Sequence, residues 1–193
     1  MAIADQNKWD RLHAGRYEHD PPSVFLKRIF EKFGPTLLPG RALDVACGRG
    51  QNSLFLAQRG FDVAAIDISP VALEEARRRA AEKYLSISWQ QADLEQFRLP
   101  RARYDLIVNF NYLQRSLVPQ IKTALKAGGY VIFETYLIDQ QAIGHPKDPA
   151  YLLGHNELLD LFRGLRVLYY REGKFTEGDQ EAYRAGFFGQ NRG

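Results

Sequence analysis

One short stretch, Asp44–Val45–Ala46–Cys47–Gly48–Arg49–Gly50, combines an acid with two glycines where an apolar run gives way to an amphipathic one. Gly48 and Gly50 permit backbone conformations and a close approach that a Cβ would block. The first amides of a helix starting at Gln51 would then face the turn with a partial positive charge. Such a turn suits a nucleotide-like ligand. A nicotinamide dinucleotide calls for G-x-G-x-x-G, and here Ser53 stands at the third glycine. A carboxylate at Asp44 also repels a pyrophosphate but attracts an ammonium or sulfonium group. Asp67 ends the next apolar run, nineteen positions after Gly48, and is placed to accept hydrogen bonds from both hydroxyls of a ribose. Asp93, in Gln91–Ala92–Asp93–Leu94, ends a third run and offers an acceptor to an adenine amino group. Ile68 and Leu94 supply apolar surface for the ring. The three acids would thus hold an amino-acid end, a ribose and a base.

These positions need a sheet whose strands end side by side. Arg41 to Cys47, Phe61 to Asp67, Ile87 to Ala92, Tyr104 to Phe110 and Gly129 to Leu137 read as strands. Between them lie helices at Gln51 to Arg59, Ser69 to Lys83 and Ser116 to Lys126. Ser69 can cap the second of these, with Pro70 at its first position. Strand–helix alternation with short connections implies right-handed βαβ units and a parallel sheet. An amphipathic helix, Ser23 to Phe33, precedes them. Asp139 to His155, rich in Pro and Gly, reads as a long loop, and Asn156 to Phe162 as a short helix. Leu165 to Lys174 and Ala182 to Gln190 read as two strands joined at Glu177–Gly178–Asp179, an antiparallel hairpin. The expected fold is one α/β domain over 1–193, Rossmann-like and doubly wound. Its sheet is seven-stranded and mostly parallel, with helices on both faces. Residues 1–33 form an N-terminal helical cap, 41–137 the binding core, and 139–193 the substrate loop, short helix and hairpin.

Composition narrows the class. The chain has 193 residues, 45% hydrophobic and 25% charged, the balance of an ordinary globular domain. Its single cysteine, Cys47, excludes an internal disulfide and a multi-cysteine zinc site, and reads as a small buried residue at a strand end. A formal charge of +3 is small and scattered, and Arg77 to Arg79 read as a solvated helix face, so a nucleic-acid partner is not expected. No run approaches a membrane span, and Met1 to Asp10 lacks the basic and apolar parts of a secretory signal. A cytoplasmic location is expected. His13, His19 and His155 show no ligand spacing, and no metal is expected.

DVACGRG followed by AAID and QADL resembles the class I S-adenosylmethionine-dependent methyltransferases, over about Arg41 to Leu137. The resemblance implies S-adenosylmethionine as cofactor and S-adenosylhomocysteine as product. It implies that Asp44, Ala46, Gly48, Gly50 and Asn52 hold the methionine end. Asp67 would take the ribose and Asp93 the adenine amino group, with Ile68 and Leu94 against the ring. Ala46 departs from the commoner glycine. The flanks, WDRLHAGRYEHDPP and HNELLDLFRGLRVLYYREG, resemble small-molecule methyltransferases of the tellurite-resistance type. That likeness implies that Trp9, Arg16 and Tyr17 close over the cofactor, with Arg16 facing its carboxylate.

Methyl transfer from a sulfonium needs the nucleophile in line, which positioning supplies. A soft acceptor such as a thiol or a chalcogen oxyanion derivative needs little more, whereas oxygen or nitrogen acceptors usually want a base. Asn109–Phe110–Asn111–Tyr112 is similar to the N-P-P-Y segment of nucleic-acid amino methyltransferases but lacks both prolines. Asn109 is expected beside the methionine end of the cofactor or capping its strand. Tyr112, Tyr136 and His145 are the candidates to line the acceptor pocket. The expected activity is methyl transfer to a small molecule by a monomer or homodimer. The competing readings are a cofactor-binding regulatory or scaffold protein without turnover, and a nicotinamide-dependent oxidoreductase.

Overall fold

The computed structural model describes residues 6–7, 9–11, 21–177 and 180–193. The chain folds as two compact units, 1–98 and 99–193.

In the first unit, helix α1 (Val24–Phe33) starts where Ser23 Oγ accepts from the amides of Phe25 and Leu26, an N-cap. It buries Phe25, Leu26 and Ile29. Strands β1 (Arg41–Val45), β2 (Asp62–Asp67) and β3 (Ser88–Gln91) pair in parallel, β2 in the middle. Val45 lies opposite Ile66, and Asp67 opposite Gln91, so the carboxyl ends are level. β1 and the end of β2 are buried on both faces, hence the continuous apolar runs in the sequence. β1 ends two residues earlier than the apolar run because Ala46 turns into the left-handed region (φ 52°). Helix α2 (Gln51–Ala57) follows that turn, and α3 (Pro70–Glu82) follows β2. Ser69 caps α3 through the Ala72 amide, with Pro70 in the first turn, as the sequence predicts. The charges of α3 find partners along the helix and on the turn after β1. Arg78 reaches Glu75 and Glu82, and Arg79 donates to the Arg49 carbonyl.

In the second unit, β4 (Tyr104–Phe110) and β5 (Leu125–Tyr136) are parallel, and β7 (Gln180–Gln190) pairs antiparallel with both β5 and β6 (Arg166–Glu177). Helix α4 (Val118–Ala124) is shorter than expected, and β5 starts four residues before Gly129. The register of β4 against β5 shifts between Tyr104 and Leu106, which absorbs residues 126–129. A Cβ on Gly129 would sit 3.0 Å from the carbonyls of Lys126 and Tyr104, so this crowded crossing requires glycine. The loop from Asp139 to His155 contains a helical turn, α5 (Gln140–Ile143), and a 3₁₀ turn at Pro149–Tyr151, and Leu137 bridges to Leu153 at its base. β6 and β7 pair as read, with longer strands, and Gly178 and Asp179 of the expected turn lie outside the described residues. The short helix α6 (Glu157–Leu161) matches too.

The core of this unit is aromatic. Phe162 stacks on Phe187 with centroids 4.9 Å apart and meets Phe133 edge-on at 5.4 Å. Seven strands, parallel except at the C-terminal hairpin, make a Rossmann-like α/β fold.

One ion pair is buried. Glu134 on β5 and Arg171 on β6 both lie opposite Gly186 of β7, so no side chain separates them. Arg171 donates through Nη2 at 2.6 Å and Nε at 3.2 Å to Glu134 Oε1. Both side chains are almost wholly buried. Removing one partner strands a desolvated charge. Arg171→Ala is therefore expected to cost about 3–5 kcal/mol in urea unfolding, and a loss under about 1 kcal/mol would show that water already screens the pair.

Candidate functional site

The turn after β1 is built by its backbone. Gly50 closes onto the Cys47 carbonyl, and Ala46, Gly48 and Gly50 all have positive φ. A Cβ on Gly50 would come within 2.6 Å of the Trp89 ring and 3.1 Å of the Ala76 Cβ. Gly50 is thus required by packing as well as by φ. Trp89 in turn packs on the small cluster of Cys47, Ala65 and Leu73.

The turn is tied to the neighbouring strand. Gly48 N–H donates to Asp67 Oδ2 at 2.7 Å, and Ser69 N–H donates to Asp67 Oδ1 at 2.9 Å. Each carboxylate oxygen keeps a second lone pair for a ligand. Asp67 is 7% exposed, enough for contact from one side.

Asp44 is 1% exposed and accepts from Ser53 Oγ at 2.6 Å. Burial pushes its carboxyl up to about 7. The Ser53 bond opposes the rise, and the Asp67 charge adds to it. Ser53, the residue at the missing third glycine, therefore serves as a hydroxyl donor to the first acid. Sequence reading used Ser53 only as a failed glycine.

Asp93 uses Oδ1 to accept from the Glu95 amide at 2.9 Å. Its Oδ2 is buried and has no hydrogen-bond partner among the described residues. A buried, unpaired carboxylate oxygen is costly unless a donor arrives. Leu94 is buried beside it and Ile68 half-buried, both with apolar side chains. Gln51 Oε1, at the start of α2, is a second buried acceptor without a partner, and nothing in the sequence singled it out.

The remaining predicted residues divide. Asn52 is buried and spends its Oδ1 on the Ser23 amide at 2.9 Å, anchoring α1. Trp9 is half-buried in a helical segment. Next to it, Asp10 Oδ1 accepts from Ser69 Oγ at 2.5 Å, which fixes that segment beside the end of β2. Arg16 and Tyr17 lie outside the described residues.

The chain matches the methyltransferase domain family over residues 42–129, which include Asp44, Asp67 and Asp93. It is 27% identical over 155 residues to the probable S-adenosylmethionine-dependent methyltransferase TehB of Haemophilus influenzae, covering 76% of this chain and 54% of that protein. Over the matched region the chain is similar to S-adenosylmethionine-dependent methyltransferases. A ubiquinone biosynthesis O-methyltransferase of Alkalilimnicola ehrlichii is 34% identical over 133 residues, 66% of this chain and 53% of the relative. The crystal structure of TehB from Haemophilus influenzae superposes with a TM-score of 0.76 at 19% identity, covering 95% of this chain and 67% of that one. The chain spans about half the length of the curated relatives it matches.

The second unit of this methyltransferase carries the other candidates. Asn109 is buried at the end of β4, and its Nδ2 donates to the Tyr112 carbonyl at 2.8 Å. That closes the strand end, one of its two expected roles. Its Oδ1 is buried without a partner. Tyr112 donates its hydroxyl to Gln114 Oε1 at 2.7 Å. Tyr136 accepts from Arg184 Nη2 at 2.9 Å, with the guanidinium 4.2 Å from its ring centroid. Arg184 Nη1 donates to Asn111 Oδ1 at 2.6 Å. Arg184 was not foreseen, although its position opposite Tyr136 follows from the hairpin register. His145 is exposed.

Arg115 staples the loop base. It meets Glu157 at 2.6 and 2.9 Å and the carbonyls of Ala150 and Leu152 at 3.1 and 2.8 Å. Among the described residues no helix is long and apolar enough to cross a membrane, and no cluster of His, Cys, Asp and Glu could hold a metal.

Asp44 generates a pH prediction. The folded chain holds its proton more tightly than the unfolded chain does, so stability falls as pH rises from 3.8 to about 7. That span corresponds to about 4 kcal/mol. Asp44→Asn is expected to match the parent chain near pH 4 and to exceed it by a few kcal/mol, about 2–4, at pH 8. Urea unfolding across that range checks it, and parallel profiles would contradict a buried, charging Asp44.

Proposed function

We propose that this chain transfers a methyl group from S-adenosylmethionine to a small soft nucleophile, a thiol or a chalcogen oxyanion. The observation that carries the cofactor assignment is the buried, unpartnered Oδ2 of Asp93, on the third of three acids that follow successive strands. No other ligand class discussed above supplies a donor to Asp93, hydroxyls to Asp67 and a cation to Asp44 together. A dinucleotide would bring pyrophosphate against Asp44.

The bound cofactor supplies a sulfonium methyl group open to in-line displacement. The chain's residues bind and orient. Asp93 accepts from the adenine amino group, with Leu94 and Ile68 against the ring. Asp67, already oriented by the amides of Gly48 and Ser69, accepts from the ribose. Asp44 provides the negative charge toward the amino-acid end, aided by the turn at Ala46, Gly48 and Gly50. Trp9 and Asn52 add cofactor contacts within the first unit, and Arg16, Tyr17 and Asn109 keep the roles that the sequence assigns.

The acceptor follows from which groups are committed. Tyr112 gives its proton to Gln114, and Tyr136 receives one from Arg184. Neither is set to take a proton from an incoming alcohol or amine, and His145 is exposed. A nucleophile that needs no base fits this arrangement best. Arg184, beside Tyr136, favours an acceptor that carries negative charge. We place the reaction in the cytoplasm.

Two measurements test this. In titration calorimetry with S-adenosylhomocysteine, Asp67→Ala and Asp93→Ala are each expected to weaken binding about tenfold or more. Unchanged affinity in both would overturn the cofactor assignment. An acceptor panel of thiols, selenite, tellurite, catechols and amines, read by mass spectrometry of product and S-adenosylhomocysteine, tests turnover. Methylation of a thiol or oxyanion is expected. Methylation of a catechol alone would move the chain toward the ubiquinone-type reaction, and binding without any product would make it a cofactor-binding protein.

A further inference from the structure

The first unit has a cavity of about 420 Å³ that the methyltransferase reading does not use. Its walls are Phe30, Phe55, Phe61 and Leu37, and Lys27, Glu31 and Arg59 stand around it. Leu37 precedes β1, while Arg59 and Phe61 precede β2, so the cavity lies at the amino ends of these strands. The acids Asp44 and Asp67 lie at the carboxyl ends. The six residues of β2 separate the two by roughly 20 Å.

The sequence builds this cavity from one helix face. Lys27, Phe30, Glu31 and Gly34 are spaced i, i+3, i+4, i+7 along α1. Phe30 meets Phe55 edge-on at 5.2 Å and Phe61 at 6.0 Å, which fixes the aromatic wall. The hollow is open to solvent on the side of Glu31, Pro39 and Arg59, which are exposed.

The charged groups give the cavity its selectivity. The Arg59 guanidinium lies 3.4 Å from the Phe55 ring centroid and donates Nη1 to the Phe55 carbonyl at 3.0 Å. These contacts fix the guanidinium plane, while Nε and Nη2 have no partner among the described residues. A guanidinium held flat on an aromatic ring presents a two-pronged donor edge to a carboxylate. The Lys27 ammonium likewise has no hydrogen-bond or ion-pair partner among the described residues. Glu31 is the single acid of the lining, so two cations face one anion, the balance for a monoanion.

We propose that this cavity is a second ligand site, for a small monocarboxylate with an aromatic or other apolar body. The apolar body lies among Phe30, Phe55, Phe61 and Leu37, and the carboxylate meets Arg59 and Lys27. Binding here is independent of the cofactor and of methyl transfer.

The test uses phenylpropionate and its neutral analogue phenylpropanamide, titrated into the full chain and followed by calorimetry and by NMR of the aromatic resonances. The acid is expected to bind saturably, and the amide about tenfold more weakly. Arg59→Gln and Lys27→Gln, with unchanged circular dichroism, are each expected to reduce acid affinity about tenfold while leaving S-adenosylhomocysteine binding intact. Saturating S-adenosylhomocysteine is expected not to displace the acid. Equal binding of acid and amide, insensitivity to both substitutions, displacement by S-adenosylhomocysteine, or no saturable binding would each overturn the proposal.

Discussion

The hydrogen bond from Gly48 N–H to Asp67 Oδ2, 2.7 Å long, joins the end of one parallel strand to the end of its neighbour, and the cofactor end of the first unit depends on it. It requires the backbone after β1 to turn sharply, hence the three successive positive-φ positions at 46, 48 and 50. It also aims a buried carboxylate at the turn instead of into bulk water. A charged acceptor bonded to two backbone amides is both shorter and stronger than a neutral pair. Loss of that bond would free the turn and release Asp67 together. The Asp67 carboxylate reaches the turn from the neighbouring strand, so the two strand ends orient each other.

Electrostatics give this end its preference. Asp44 and Asp67 repel each other, and burial raises the proton affinity of Asp44. Asp44 therefore keeps its proton up to about pH 7, and an incoming cation would favour its ionised form while a phosphate would oppose it. This explains why a chain with a glycine turn and an acid at the second strand end need not bind a dinucleotide. Ser53, at the position of the third glycine, donates its hydroxyl to Asp44 and so ties the start of α2 to the end of β1.

The sequence revealed the first unit more fully than the second, for a physical reason. Strand ends followed by glycine or a capped helix are local features, so Asp44, Asp67, Asp93 and the Ser69–Pro70 start of α3 could be read from spacing alone. Ser53, Asp10 and Gln51 could not, because their partners depend on how a helix turns back over its strand. In the second unit, Glu134, Arg171 and Arg184 meet only after a hairpin returns alongside β5. Their separation in sequence reaches 37 and 48 residues for the pairs Glu134–Arg171 and Tyr136–Arg184. A charged residue inside an apolar strand pattern was the available signal, and Glu134 in the run VIFETY carried it. The early start of β5 was hidden for a similar reason: Leu125 and Lys126 continue the helical pattern until the crossing at Gly129 forces a register shift.

The division between the units also bears on specificity. Folds host many chemistries, and function resides in the particular groups mounted on them. The residues proposed to hold the cofactor follow from the strand–turn–helix geometry of the first unit. Those near the candidate acceptor residues hang on a hairpin and a stapled loop, Tyr136–Arg184–Asn111 on one side and Arg115–Glu157 on the other. Such a frame can exchange its side chains without disturbing the turn after β1. A shared cofactor end and a divergent acceptor end would let one fold resemble both a TehB and a ubiquinone O-methyltransferase. Discrimination between their acceptors then falls to whether the hydroxyls and cations of the second unit are free to take a proton or already committed to one another.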